Sequence, residues 1–189
     1  MEVTAHHIAK NRHLAQTLAT AFDIDFAPVP DESVWFTVKA PESFLPIATE
    51  GAGGVFLQGG SSDSILYVTS EGQAGIVAAS LAEFLQLVMA HPYWFDLLKF
   101  SGGGQLREME RVARYLEEDL LEDKPGIQMS RDIVAQALLL ASAPGPISAL
   151  HFAVTSIGAG VSVQAPDGTE CSGLFGSFVV EDNRMWREV

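Results

Sequence analysis

The side chains with chemistry to offer are five histidines, one cysteine and a surplus of carboxylates. His6, His7 and His13 cluster near the N-terminus. His6 and His13 are seven residues apart and share a face of a helix, but metal-binding histidine pairs on helices favour i, i+4 spacing. With no carboxylate in register, the three read as an exposed polar face and no metal is expected. His91 precedes Pro92 and His151 lies in an apolar stretch, so both read as helix-end or core histidines. Cys171 sits among polar residues in a turn-rich stretch, with nothing beside it to depress its pKa and make it a nucleophile. A lone cysteine also excludes an intrachain disulfide and a cysteine zinc site. The strings GGSSD and LFGSF depart from the G-x-S-x-G elbow of a serine hydrolase. No pair of acids has a recognisable catalytic spacing, and EEDLLED at 117–123 reads as a solvated helix face. The expectation is a chain without catalytic residues, cofactor or metal, and not an enzyme.

The stretch EGAGGVFLQGG, residues 50–60, raises the question of a phosphate-cradling loop. A dinucleotide loop needs G-x-G-x-x-G between a strand and a helix, so that the helix N-terminus meets the pyrophosphate. Gly51 and Gly53 supply the first two glycines, but the third position is Phe56, and the strand-former GVFLQ follows. No G-x-x-x-x-G-K-[ST] occurs. The glycines read as a turn entering a buried hairpin strand, with positive φ where needed.

The elements that must position these groups read as a mixed set. Residues 3–21 have helical spacing at Ile8, Leu14 and Leu18, and the prolines of DIDFAPVPDE end that helix. VWFTVKA reads as a strand, PESFLPIATEG as a loop with a short extended piece, and GVFLQ, SILYVTS and IVAAS as further strands. GGSSDS and EGQAG are the turns between them. SLAE opens a helix as a capping box, Ser80 with Glu83. QLREMERVARYLEEDLLED is a strong amphipathic helix with Leu106, Met109, Val112, Ala113, Leu116 and Leu120 inward. Ser130 reads as the cap of RDIVAQALLLASA, PGPISALHFAVTS as a short helix, and residues 160–182 as a hairpin turned at Asp167-Gly168. HPYWFDLLKF, with four aromatic-type rings, reads as core packing against the sheet or as an exposed anchor for a protein partner. Trp186 poses the same alternative.

Charge narrows the partner. The chain of 189 residues carries 24 acids against 11 bases, a net charge of −13. Between residues 28 and 98 there are eight acids and one base. Nucleic acid and anionic membranes are disfavoured, because both demand clustered Lys and Arg. A basic protein is favoured, since an acidic surface steers its association. The N-terminal MEVTAHHIAKNRH lacks an apolar signal region, and apolar runs such as AQALLLASA are too short to span a bilayer. The expected location is the cytoplasm.

FLPIATEGAGGVFLQGGSSDSILYVTSEGQAG resembles the central signature of the SUKH superfamily, which takes in the yeast cell-wall assembly regulator and many bacterial immunity proteins. The matching elements are Ile47-Ala48, Glu50, Gly51 with Gly53-Gly54, Val55-Phe56-Leu57, and Leu66-Tyr67-Val68 leading to Glu71. SLAEFLQLV stands where the family places its "s..eFL..l" helix. The resemblance covers roughly residues 44–98, about a third of the chain. The family's early "lP.dy..fl...nG" segment is not found in residues 24–43, and the residues after Ser101 lie beyond the resemblance.

The resulting expectation is an α+β fold: a mixed or mostly antiparallel sheet packed by helices, SUKH-like, with a helical segment and a hairpin toward the C-terminus. Residues 1–100 form the SUKH-like core, and 101–189 a helical extension with the hairpin, packed on the same domain. The resemblance implies a non-catalytic immunity protein that occludes the active site of a toxin, a nuclease-type toxin being basic in keeping with the charge. A regulatory adaptor binding cellular proteins, and a small-ligand-binding protein or enzyme, stay open as alternatives. The acids flanking the two turns, Glu50, Asp63 and Glu71, are the candidate protein-binding residues, with Glu42 beside them.

Overall fold

The structure is a computed structural model that describes residues 3–141 and 145–186. Its centre is a four-stranded antiparallel meander in the order β2-β3-β4-β5: β2 Phe44–Thr49, β3 Val55–Gly59, β4 Ile65–Val68 and β5 Ala74–Ala78. Every residue of β4 is buried, because both faces of the sheet are covered. Alternation still sorts the side chains. Phe56, Ile65, Tyr67 and Val77 enter the core shared with the helices, while Val55, Leu57, Leu66, Val68 and Ile76 enter a second core on the opposite face. That second face is roofed by a two-stranded antiparallel sheet, β1 Thr37–Lys39 paired with β6 Ser162–Gln164. Phe36, Ala153 and Val163 pack beneath it.

The helices are α1 Ala5–Lys10, α2 Arg12–Phe22, α3 Leu81–Ala90, α4 Trp94–Lys99, α5 Leu106–Asp123, α6 Ile127–Leu138 and α7 Pro146–Phe152, the last running into a π turn at Ala153–Ile157. Residues from Ile8 to Trp186 share the helical core, so the chain before and after Ser101 contributes to one interior. Among the described residues no helix is long and apolar enough to cross a membrane.

The α+β architecture expected from the sequence is present, with several local corrections. The single helix over 3–21 is two helices. Asn11 has non-helical φ and ψ, and its side chain accepts the Leu14 amide (3.2 Å) as the cap of α2. The strand expected over Val34–Ala40 is reduced to three residues, and it pairs with β6 rather than with the meander. The stretch read mainly as a loop, residues 41–51, contains the six-residue β2. Pro46 is tolerated there because β2 is an edge strand of its sheet. Ser130 caps nothing: α6 starts one turn earlier at Ile127, whose side chain is buried, after Pro125-Gly126 has ended α5. The helix expected through Ala143 instead ends at Leu138, where Leu139 takes the left-handed conformation (φ 54°); residues 142–144 lie outside those described. The capping box of α3 is present in shifted form. Ser80 accepts the Glu83 amide (3.2 Å), while Glu83 accepts the Ala79 amide (3.1 Å), one residue before the cap. The turn at Asp167-Gly168 also forms, with Gly168 at φ 85° and its return strand reduced to a bridge between Gln164 and Glu170.

Candidate functional site

Two turns meet at one end of the meander. The first, Glu50–Gly54, joins β2 to β3, and the second, Thr69–Gln73, joins β4 to β5. The Glu50 carboxylate organises the first, accepting the amides of Ala52 (2.6 Å) and Gly54 (2.5 Å) and the Tyr67 hydroxyl (3.3 Å). Gly53 sits at φ 94°, the left-handed region open to glycine, and its amide donates to the Glu50 carbonyl (3.0 Å). Ser70 ties the turns together by donating to the Ala52 carbonyl (2.9 Å).

A third segment completes the site. Asp23 ends α2 in the left-handed conformation, φ 56°, which short polar side chains tolerate. The chain then returns so that Asp25 bridges Thr49, with the Asp25 amide donating to the Thr49 carbonyl (2.8 Å) and the Thr49 amide donating back (3.0 Å). This places Asp23 against the glycine turn, where it accepts the Gly51 amide (3.1 Å).

Asp23, Glu50 and Glu71 thus line one cleft of about 260 Å³, with Ala52, Thr69, Ser70 and Gln73 around them. Aromatic rings back it. Phe56 stacks on Tyr67 (centroids 4.7 Å, interplanar angle 23°), and Trp94 and Phe95 meet the Tyr67 ring edge-on at 5.1 and 5.7 Å. Burial, reinforced by the charge and hydrogen bond of Glu50 and by the charge of Asp23, pushes the Tyr67 hydroxyl well above its ordinary pKa. It therefore stays a donor to Glu50. Among the described residues, none of the three acids forms an ion pair with a Lys, Arg or His. Lys124, near the same helix end, gives its ammonium to the Ala21 carbonyl instead (3.1 Å).

The four acids singled out by sequence are not one cluster. Glu50 and Glu71 share the cleft, while Glu42 and Asp63 lie at the opposite end of β3, about 15 Å away at the usual strand rise. Glu42 reaches across to the β3–β4 turn and accepts the Ser61 amide (2.7 Å), the Ser61 hydroxyl (2.8 Å) and the Ser62 amide (3.0 Å). Hydrogen bonds from Ser62 and Ser61 hold its carboxyl at about 2. Asp63 occupies the left-handed position of that turn (φ 59°) and borders an apolar groove of about 620 Å³ beside Leu45 and Leu139. Sequence reading missed Asp23, whose only signal was an Asp directly after the last apolar residue of a helix.

The remaining candidates lie elsewhere in the fold. His6 and His13 are exposed on different helices, and among the described residues no group of three or more His, Cys, Asp or Glu is arranged to hold a metal. The ring of His151 meets the Gly104 carbonyl (Nε2–O 2.9 Å). Burial, with the Glu170 charge, raises the Cys171 thiol, the reverse of nucleophile activation. Trp186 is buried against Phe100 and Tyr115 and donates to Asp119 (3.2 Å), so it is a core residue. Within EEDLLED, Glu117 departs from the solvated-face reading. It accepts both guanidinium nitrogens of Arg131 (3.0 and 3.1 Å) and the Tyr93 hydroxyl (2.9 Å), which contacts His91 Nδ1 at 3.0 Å.

The chain matches no family model, no curated protein and no solved structure.

Proposed function

We propose that the chain is a non-catalytic binding domain that captures a basic protein at the end of its sheet where Asp23, Glu50 and Glu71 converge. The observation that carries this is three carboxylates on one aromatic-backed cleft without a cationic partner among the described residues. Unpaired like charges repel one another, so the arrangement favours a partner that brings positive charge. The overall charge of −13 steers such a partner in the same direction. The resemblance of residues 44–98 to the SUKH superfamily supports a more specific role: an immunity protein of the cytoplasm that blocks a basic, nuclease-type toxin by covering its active site. Nucleic acid and membrane are not partners in this proposal.

Affinity capture with tagged protein from native lysate, read by mass spectrometry at low and moderate salt, tests the proposal. The expected result is one dominant basic partner, weakened by salt and by D23N combined with E71Q. A partner whose binding ignores both salt and these substitutions overturns the assignment of this face, and a basic partner that is a broad set of cellular proteins favours an adaptor over an immunity role.

A further inference from the structure

A second face of the molecule departs from the acidity of the rest. Four of the 11 Lys and Arg residues fall within residues 99–114, against two acids, in a chain with 24 acids. Arg107, Arg111 and Arg114 stand at i, i+4 and i+7 on α5, away from its buried residues, so they form one outer stripe about 10 Å long at the usual rise. One of the two acids, Glu108, is buried beside the stripe. Its carboxylate lies 3.6 Å from Arg107 and 3.6 Å from Arg111, close enough to hold their charge and too far to take a hydrogen bond from either. The C-terminal segment supplies an apolar margin. The Gly102 amide donates to the Phe178 carbonyl (2.8 Å) and the Gly103 amide to the Gly176 carbonyl (2.8 Å), which fastens that segment beside α5. Phe178, Phe100, Trp186 and Tyr115 then follow one another at centroid separations of 6.1, 5.1 and 5.6 Å. Trp186 is the buried floor of this row, whereas Phe178 is 50 % exposed and Met185, next to Trp186, is 83 % exposed. Lys99 stands over the Phe100 ring (5.7 Å) and Arg114 over the Tyr115 ring (5.2 Å). The neighbouring acids are engaged: Glu181 with Arg111, Asp182 with the Val179 amide (2.9 Å) and Asp119 with the Trp186 indole (3.2 Å). Among the described residues, Lys99, Arg114 and Arg184 form no ion pair.

We infer that this face docks an acidic, partly apolar segment of a second protein, distinct from the basic partner proposed above. None of its residues lines the Asp23, Glu50 and Glu71 cleft, so it is a separate surface. Charge complementarity selects carboxylates. Guanidinium groups present planar forks of N–H donors that match a carboxylate, and the stripe repeats them at the spacing of one helix face. Arg107 keeps those donors free, because Glu108 holds it by charge rather than by hydrogen bonds. The exposed Phe178 and Met185 take the apolar side chains of the segment. Arginine, methionine and aromatic rings are the residue types that set protein interfaces apart from ordinary surface. A nucleic acid is the poorer fit, since a polyphosphate needs bases clustered over many phosphates and meets a chain of net charge −13. The same net charge repels an acidic protein only at long range. At about 0.15 M salt the Debye length is about 8 Å, so the nearby arginines decide the contact.

The test uses the full chain at about 0.15 M salt and a defined probe, the peptide acetyl-EELFEELLEE-amide, followed by amide and indole NMR. Its glutamates repeat at i, i+4, as the arginines of the stripe do. The expected result is a saturable shift at residues 99–114 and 176–186, the Trp186 indole included. Arg107→Ala combined with Arg114→Ala, both at exposed positions, weakens binding about tenfold, the loss of two exposed charge contacts. Phe178→Ala weakens it as well. The counterpart peptide with every glutamate replaced by glutamine gives no saturable shift, a control that needs no variant of the chain. Absence of a saturable shift, a shift confined to other residues, an equal response to the glutamine peptide, or unchanged affinity in the double arginine variant overturns the inference. So does an oligouridylate that binds these residues more tightly than the acidic peptide, which would assign the face to nucleic acid.

Discussion

At the residue scale, the glycines of the first turn do two different jobs. Gly53 is required for its φ of 94°, since a Cβ there would meet only Ser70 at 3.5 Å. Gly54 is required for space, since a Cβ would stand 2.5 Å from Glu50 Oε1 and 2.6 Å from the Tyr67 ring. Gly53→Val should therefore destabilise by about 1–3 kcal/mol through backbone strain. Gly54→Ala should destabilise by about 1–3 kcal/mol through overpacking, a smaller residue with an equal effect. Urea midpoints decide both, and an unchanged midpoint for either contradicts its mechanism. Glu42 offers a pH test. Its carboxyl is held at about 2 against an ordinary 4.5, so its contribution to the β3–β4 turn is complete above 4.5 and lost as pH falls toward 2. A carboxyl titration by NMR should place its midpoint well below those of free glutamates; a midpoint near 4.5 would show that the serine bonds are not kept in solution. These turn acids were legible in the sequence as residues flanking glycine and serine, but their partners were not. Glu42 and Ser61 are brought together by the β2–β3 pairing, and Asp23 and Gly51 by a return of the chain over 28 residues, which no local pattern encodes.

At the element scale, one polar network fastens three helical segments. Arg131 of α6 donates to Glu117 of α5 and to the Met89 and Ala90 carbonyls at the end of α3 (2.7 and 3.2 Å). Burial opposes ionisation of Glu117, but the hydrogen bonds from Arg131 and Tyr93 outweigh it and hold the carboxyl below its ordinary range. Arg131→Met should therefore destabilise by about 1–2 kcal/mol, because a half-buried carboxylate is left without its cation. Paired with Glu117→Gln in a double-mutant cycle, the two effects should fall short of their sum, and strict additivity would contradict the network. Burial lowers the pKa of His91, opposed by Glu117 and aided by Arg131. The unfolded chain then binds a proton more readily than the folded one. Stability supplied by neutral His91 is complete above its ordinary 6.5 and lost as pH falls below that value. The urea midpoint should drop between about pH 7 and about pH 5, less steeply in His91→Asn; identical slopes would contradict this. Sequence periodicity reached the strands and α5 because Ile65–Val68 and the Met109–Leu116 face are apolar at the right period. It gave β2 only as a short extended piece within a loop, because exposed Leu45 and Pro46 break any alternation, and it started α6 late, because the buried Ile127 shows its role only in the tertiary fold.

At the scale of the whole molecule, the sheet is buried on both faces and meets solvent mainly at its ends and edges. Its two ends differ in kind. At one, Glu42 is consumed in shaping a turn; at the other, Asp23 and Glu71 keep acceptor oxygens available beside an aromatic cleft. A net charge of −13 makes association with a basic protein fast at low salt and sensitive to added salt. The excess of acids was legible from composition. The end of the sheet that gathers them was not, because it depends on where α2 stops and on which strands pair. The most direct measurement is amide hydrogen exchange on the full chain, with and without the basic protein that the affinity capture is expected to recover. Binding at this end predicts protection at residues 50–54 and 69–73 and around Asp23, with the β3–β4 turn near Asp63 unchanged. Protection confined to the Asp63 end or to the helices, or none at the two cleft turns, would contradict it.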